Sequence, residues 1–265
     1  MTSPTPLDDA TQRRWAAAHE RVTLEDCYIY HWFDMPDGET IVGSWDLREN
    51  WRDYLGGVDF GGKRVLETGP ASGYLGLKME AMGAEVVAFD LPPGTPPNLL
   101  PVPGQDEAML ATAWANAIDR VRNSWWYFRR AFGSRNKAVY GDIYAMPKDI
   151  GRFDVAFMGA ILLHLSNPFE AIRQVASLTD EMIVVTDMNN RAFGQQSWME
   201  FSPNPGSRDP LSWWIISPYA IARMLTAVGF PDVAMSYHSH RAHATLEADK
   251  GVTHEFFTVV GRRPR

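Results

Sequence analysis

The chain has 265 residues, a formal net charge of −7 and a pI of about 5.5, with 45% hydrophobic and 22% charged residues. That balance lies near the globular average and excludes a disordered tail, a collagen and a solenoid spacer. The acidic excess disfavours nucleic-acid backbones as partners, and one cysteine, Cys27, excludes an internal disulfide and a thiolate-rich zinc site.

The opening residues, Met-Thr-Ser-Pro-Thr-Pro, have neither the basic flank nor the apolar run of a signal peptide. No later stretch reaches the length of a bilayer span, so a cytoplasmic protein without membrane partners is expected. Residues 12–22 allow a helix with Trp15, Ala18 and Val22 on one face. Residues 27–33 have strand composition, Pro36-Asp37-Gly38 is a turn, and 39–45 return, which reads as a hairpin. A helix holding Trp51 and Tyr54 follows. Residues 1–60 thus form an expected cap, and 61–265 a catalytic domain.

Beyond Gly61-Gly62 the pattern alternates. Buried strands are expected at 64–69, 85–90, 137–140, 153–158 and 182–186, and helices at 72–82, 168–178 and 218–228. The run from Pro92 to Pro103 is irregular, and a long helix, 107–132, is inserted at about 105–133 as a second part of the cap. Within it, Trp125-Trp126-Tyr127-Phe128 reads as a packing stripe and Arg129-Arg130 as a solvated face. Residues 191–209 read as a loop, and 233–237 with 255–260 as a final antiparallel hairpin at a sheet edge. Strands that are apolar throughout, alternating with helices, predict an α/β fold with a mostly parallel, doubly wound sheet.

The informative segment is Val65-Leu66-Glu67-Thr68-Gly69-Pro70-Ala71-Ser72-Gly73, where a buried strand ends in an acid, turns on glycines and enters a helix. Ligands of such sheets sit beyond the carboxyl ends of the strands, and Gly69 and Gly73 admit a close backbone approach. The next strand ends at Asp90, about 20 residues on, at the distance where a carboxylate meets ribose hydroxyls. The inference is an adenosine-bearing cofactor. A dinucleotide is disfavoured: Ala71 stands at the middle glycine position, no Walker lysine follows, and Glu67 repels a pyrophosphate while attracting an ammonium.

At these residues the chain resembles the class I S-adenosylmethionine-dependent methyltransferases, from about Trp45 to the C-terminus. Gly141-Asp142-Ile143, the 153–160 segment, Leu163-His164-Leu165 and Asn167-Pro168 extend the likeness. Asp37-Gly38, Trp45-Asp46, Gly159, His164-Leu165, Pro168 and Trp213-Trp214 look like a bacterial group related to the tRNA wobble-uridine carboxymethyltransferases. The resemblance implies a Rossmann-like methyltransferase fold with S-adenosylmethionine as cofactor. It implies cofactor contacts from Glu67, Gly69, Pro70, Ala71, Ser72, Gly73, Asp90, Leu91, Asp142, Ile143 and Gly159.

The expected reaction is O-methylation of a small-molecule acceptor, a sugar or natural product. His164, after a buried strand, is the candidate general base, oriented by Asp187 or a C-terminal histidine. Trp45, Asn189, His238 and His240 are candidate substrate residues; His243 joins the histidine cluster, and no metal is assigned. A tRNA-modifying transferase and a non-catalytic cofactor-binding protein are the alternatives, and a homo-oligomer is left open.

Overall fold

A computed structural model describes residues 7–204, 206–242 and 251–264. The chain begins with helix α1 (Asp9–Ala18), then short strands β1 (Phe33–Asp34), β2 (Thr40–Ile41) and β3 (Trp45–Asp46), and a one-turn helix α2 (Trp51–Tyr54). The alternating part runs β4 (Arg64–Thr68), α3 (Tyr74–Ala81), β5 (Glu85–Asp90), α4 (Glu107–Ala131), β6 (Lys137–Tyr140), β7 (Phe153–Gly159), α5 (Pro168–Leu178) and β8 (Thr179–Met188). It closes with a two-stranded ribbon, β9 (Met199–Phe201) and β10 (Trp214–Ile216), then α6 (Pro218–Ala227), β11 (Asp232–Ala242) and β12 (Val252–Arg262).

Eight strands form one sheet in the order β3-β11-β12-β8-β7-β4-β5-β6. Strands β4 to β8 are mutually parallel. β12 lies antiparallel to both β8 and β11, so β11 again runs with the parallel set. The expected terminal hairpin is present at that edge, with its antiparallel member on the inside. Both faces of the sheet are covered, which is why its strands do not alternate with polar residues. Leu66, Val87 and Met158 face α5 and α6, whereas their neighbours Val65, Val86 and Phe157 face Leu75 and Met79 of α3, Tyr54 of α2 and Phe128 of α4.

The 27–45 hairpin is much shorter than its composition suggests. Only Phe33–Asp34 and Thr40–Ile41 pair as a ladder. Trp45 bonds Tyr30 and Trp32 of the first arm in parallel and pairs on its other side with Ala242 of β11, so the far arm is drawn into the main sheet. The region before residue 61 also splits in two. Helix α1 lies at the opposite edge, where buried Gln12 donates to the Ala138 carbonyl (2.6 Å) and accepts from the Ala138 amide (3.0 Å), completing the ladder of edge strand β6. Residues 28–46 form a strap over the strand ends.

Helix α4 packs its second half on the sheet through Trp125, Trp126 and Phe128, all buried, as the stripe reading expects. Arg130 is exposed, as a solvated face requires, whereas Arg129 is half-buried, and both are tied to backbone carbonyls. Arg129 Nε donates to the Asn136 carbonyl, and Arg130 donates to the carbonyls of His19 and Val22. Residues 191–209 are more than a loop: β9 pairs antiparallel with β10. Among the described residues no helix is long and apolar enough to cross a membrane.

Candidate active site

The turn from β4 to α3 is built from left-handed backbone. Gly69 (φ 65°), Ala71 (φ 48°) and Gly73 (φ 85°) all have positive φ. Ala71 therefore adopts the conformation of the glycine it replaces, at a cost of about 1–2 kcal/mol. The glycines on either side are also required by contact. A Cβ on Gly69 would stand 2.8 Å from Ile161 Cδ1, and one on Gly73 2.7 Å from Trp125 Cδ1. Ala160, after β7, is the other non-glycine residue with positive φ among the described residues (φ 46°). Strain of this kind collects at functional sites, and here it brackets the ends of β4 and β7.

Glu67 is buried under α3. It accepts the Gly76 amide, its Oε2 has no partner, and burial raises its pKa to about 8. It lies behind the turn rather than on its open side. Asp90 ends β5 half-buried, accepting the Leu91 amide at 2.8 Å; burial raises its pKa while the cation of Arg122 pulls the other way. Arg122 is buried, pairs with Asp119 and donates to the Leu91 carbonyl at 2.9 Å. Asp142 is exposed at the end of β6, accepting the Tyr144 amide at 2.9 Å, with Ile143 half-buried beside it.

Two residues expected on the cofactor have other contacts. Ser72 Oγ accepts the amides of Tyr30 (2.7 Å) and His31 (3.3 Å), which ties the strap to the turn. Gly159 is small because a Cβ there would meet Phe157 Cζ at 2.7 Å and Tyr54 Cε1 at 3.1 Å. Pro70 is buried and Leu91 half-buried in the same region.

His164 sits in a short 3-10 turn after β7. Its Nδ1 contacts the Leu211 carbonyl at 3.1 Å, so Nδ1 carries the proton and Nε2 is bare; burial lowers its pKa. The orienting group is that carbonyl, not Asp187 or a C-terminal histidine, because the 209–213 segment folds back onto the 162–164 turn. Asp187, at the end of β8, is 4% exposed. One carboxylate oxygen accepts the Met188 amide at 2.8 Å, Oδ2 has no partner, and burial raises the pKa to about 7.

Around Asp187 the strap and the far strands contribute side chains that sequence patterns do not reveal. His31 is buried, with an unpartnered Nδ1 and a pKa lowered to about 3 by burial. Tyr54 is buried against His240, ring centroids 5.2 Å apart. His238 and His240 on β11 touch one another at 2.7 Å, and burial lowers them to about 4 and 3. Trp45 stacks near His254 and Phe256. Asn189 is half-buried, its amide bonded to the Glu255 carbonyl. His243 lies outside the described residues. Among the described residues no group of three or more His, Cys, Asp or Glu is placed to hold a metal ion. Two grooves of about 370 Å³ each lie elsewhere, against α1 and α4.

The left-handed turn and the carboxylate of Asp90 at the next strand end suit a nucleoside. A family profile described as a methyltransferase domain matches residues 47–234, and the chain belongs to that family. It is a methyltransferase, and its acid–glycine turn, β5 carboxylate and strand order are those of the S-adenosylmethionine-dependent class. The N-terminal domain of EvdMO1, crystallised with S-adenosylhomocysteine and D-fucose, is similar in structure (TM-score 0.56, 14% identity, 99% of this chain and 100% of that one covered). BH2331 from Bacillus halodurans C-125 aligns with TM-score 0.50 and 14% identity over 82% of this chain and 99% of that one. A Burkholderia thailandensis 1,6-didemethyltoxoflavin-N1-methyltransferase aligns more weakly, with TM-score 0.47 and 15% identity over 81% and 75%. No match is found among curated proteins.

Proposed function

We propose that the chain transfers the methyl group of S-adenosylmethionine to a hydroxyl of a small metabolite, a sugar or natural product, in the cytoplasm. When bound, the cofactor supplies an electrophilic methyl group on a sulfonium. The turn 69–73 holds it by backbone, Asp90 takes the ribose hydroxyls, and Leu91, Asp142 and Ile143 flank the base. Glu67 acts from behind: burial keeps it mostly protonated at neutral pH, and by accepting the Gly76 amide it positions the start of α3 under the turn.

The reading rests on one observation above others, the unpartnered Oδ2 of Asp187 at the strand ends. With a pKa of about 7 it is poised to take a hydroxyl proton at neutral pH. His164, with a bare Nε2, is the second group able to do so. Holding acceptor and cofactor in line contributes roughly 7–11 kcal/mol of the barrier, and the base about 10²–10⁴-fold. A tRNA-modifying activity is the rival reading; 25 basic against 32 acidic residues disfavours it.

The test is a panel of sugars and natural-product alcohols, with D-fucose included because of the EvdMO1 likeness, read by mass spectrometry for a methylated product. Asp187→Asn is expected to lower kcat about 10²–10⁴-fold and leave S-adenosylhomocysteine binding intact. If His164→Gln does so and Asp187→Asn does not, the base is His164. Turnover only on RNA, falling steeply with salt, overturns the small-molecule reading. Cofactor binding without turnover on either panel leaves the non-catalytic alternative.

A further inference from the structure

The contacts between β8, β12 and β11 fix where every proton lies. Thr186 Oγ1 stands 2.6 Å from the Tyr54 carbonyl and 2.7 Å from Thr258 Oγ1; Thr258 Oγ1 stands 2.9 Å from His238 Nε2; His238 Nδ1 stands 2.7 Å from His240 Nε2. Both threonines are fully buried, and a short contact between two acceptors with no proton between them is repulsive. Tyr54 O can only accept, so the Thr186 proton points to it. Thr258 Oγ1 also stands 3.2 Å from the Asp53 carbonyl and 3.3 Å from the Tyr54 carbonyl, but its proton is needed in the shorter contact with Thr186, and neither alternative directs it to His238. Thr258 has no second proton, so His238 donates from Nε2. A neutral His238 with Nε2–H has a bare Nδ1, and His240 must donate to it from Nε2. The chain of contacts ends with a bare lone pair on His240 Nδ1, which has no partner among the described residues.

His31 adds a second unpartnered ring nitrogen. Its Nδ1 is buried without a partner, and it lies within electrostatic reach of His240. Its amide is fixed to Ser72 of the cofactor turn, so the two histidines stand between that turn and the end of β11. The groups facing them are His238, Tyr54 of α2 and Asp46 of β3. Arg48, beside Asp46, is bound by Asp46 and Asp34.

We propose that the bare Nδ1 of His240, with the unpartnered Nδ1 of His31, forms a subsite that recognises hydroxyl groups of a neutral, polyhydroxylated substrate and rejects its carboxylated counterpart. His238 is a positioning residue that sets the tautomer of His240. The His240 lone pair, with the carboxylate of Asp46 within electrostatic reach, attracts O–H groups and repels an anion. The inference rests on the methyl-transfer reading only for what occupies the neighbouring cleft.

The experiment uses full-length protein labelled with ¹⁵N-histidine, free and saturated with S-adenosylhomocysteine, at neutral pH. Two-bond ¹H–¹⁵N spectra are expected to show His238 and His240 neutral, each protonated at Nε2 and bare at Nδ1. A set of methyl hexosides is expected to shift the Nδ1 signals of His240 and His31, and the matching uronates to leave them unmoved. His238→Phe, which keeps the ring stacked on Phe256, is expected to give mixed His240 tautomers and at least tenfold weaker hexoside binding. A proton on His240 Nδ1, no response to any hexoside, or uronates bound as well as hexosides would overturn the proposal. Failure to bind S-adenosylhomocysteine counts against the methyl-transfer reading instead, because the tautomers of the free protein still decide this one.

Discussion

The two halves of the sheet build their strand-end regions by different means. At the ends of β4, β5 and β6 the chain uses backbone: three left-handed residues within one turn and a carboxylate at the next strand end. At the ends of β8, β12 and β11 it uses side chains from segments far apart in sequence, His31, Tyr54, Asp187, His238 and Thr258. The first half is local, so it tolerates little change at single positions. The second half depends on strand register.

The contrast can be broken most sharply at Gly73. Gly73→Ala forces a Cβ into Trp125 at φ 85°. It is expected to cost about 2–5 kcal/mol of stability and to abolish S-adenosylhomocysteine binding, measured by denaturant unfolding and calorimetry. Retained binding would show that the turn is not the cradle. A smaller effect is expected at Asp90. Asp90→Ala removes hydrogen bonds to the ribose and should weaken S-adenosylhomocysteine roughly 10- to 100-fold, with acceptor KM unchanged. A shift in acceptor KM instead would blur the two halves.

The mildest test concerns Glu67. Its folded-state pKa, about 8, lies above the ordinary 4.5. Folding therefore favours the protonated acid. That contribution is full below about pH 4.5 and is lost as pH climbs through 8, at up to about 1.4 kcal/mol per pH unit. Glu67→Gln removes the titration, so its Tm should equal that of the unaltered protein in mild acid and exceed it at pH 8. A difference that stays flat with pH would place Glu67 in contact with solvent.

The same division explains what could be read in advance. The core strands, their helices and the acid–glycine turn were legible because burial on both faces leaves apolar runs and because the turn needs small residues. Ala71 looked like a departure until its φ of 48° placed it in the glycine conformation. The strap at 27–45 misled because Trp45 meets the first arm in parallel, at His31, and also pairs with Ala242 two hundred residues away, instead of closing an antiparallel hairpin. Strands β11 and β12 extend beyond their expected bounds, since their outer residues alternate with solvent and carry no apolar run. β9 and β10, three residues each, are separated by a Pro- and Gly-bearing stretch that hides their pairing. Nothing in the sequence marks Thr186 and Thr258 as neighbours. Only the register Thr258↔Thr186 brings them together.

The amide side chain of Gln12 acts as a counterfeit strand. By meeting both backbone groups of Ala138 it seals the outermost parallel rung, which would otherwise stand ready to zip onto a second copy. A shortened chain starting after α1 would keep every group that handles cofactor and acceptor, yet it would expose a sticky margin. Loss of solubility, rather than loss of chemistry, is the expected fate of such a truncation.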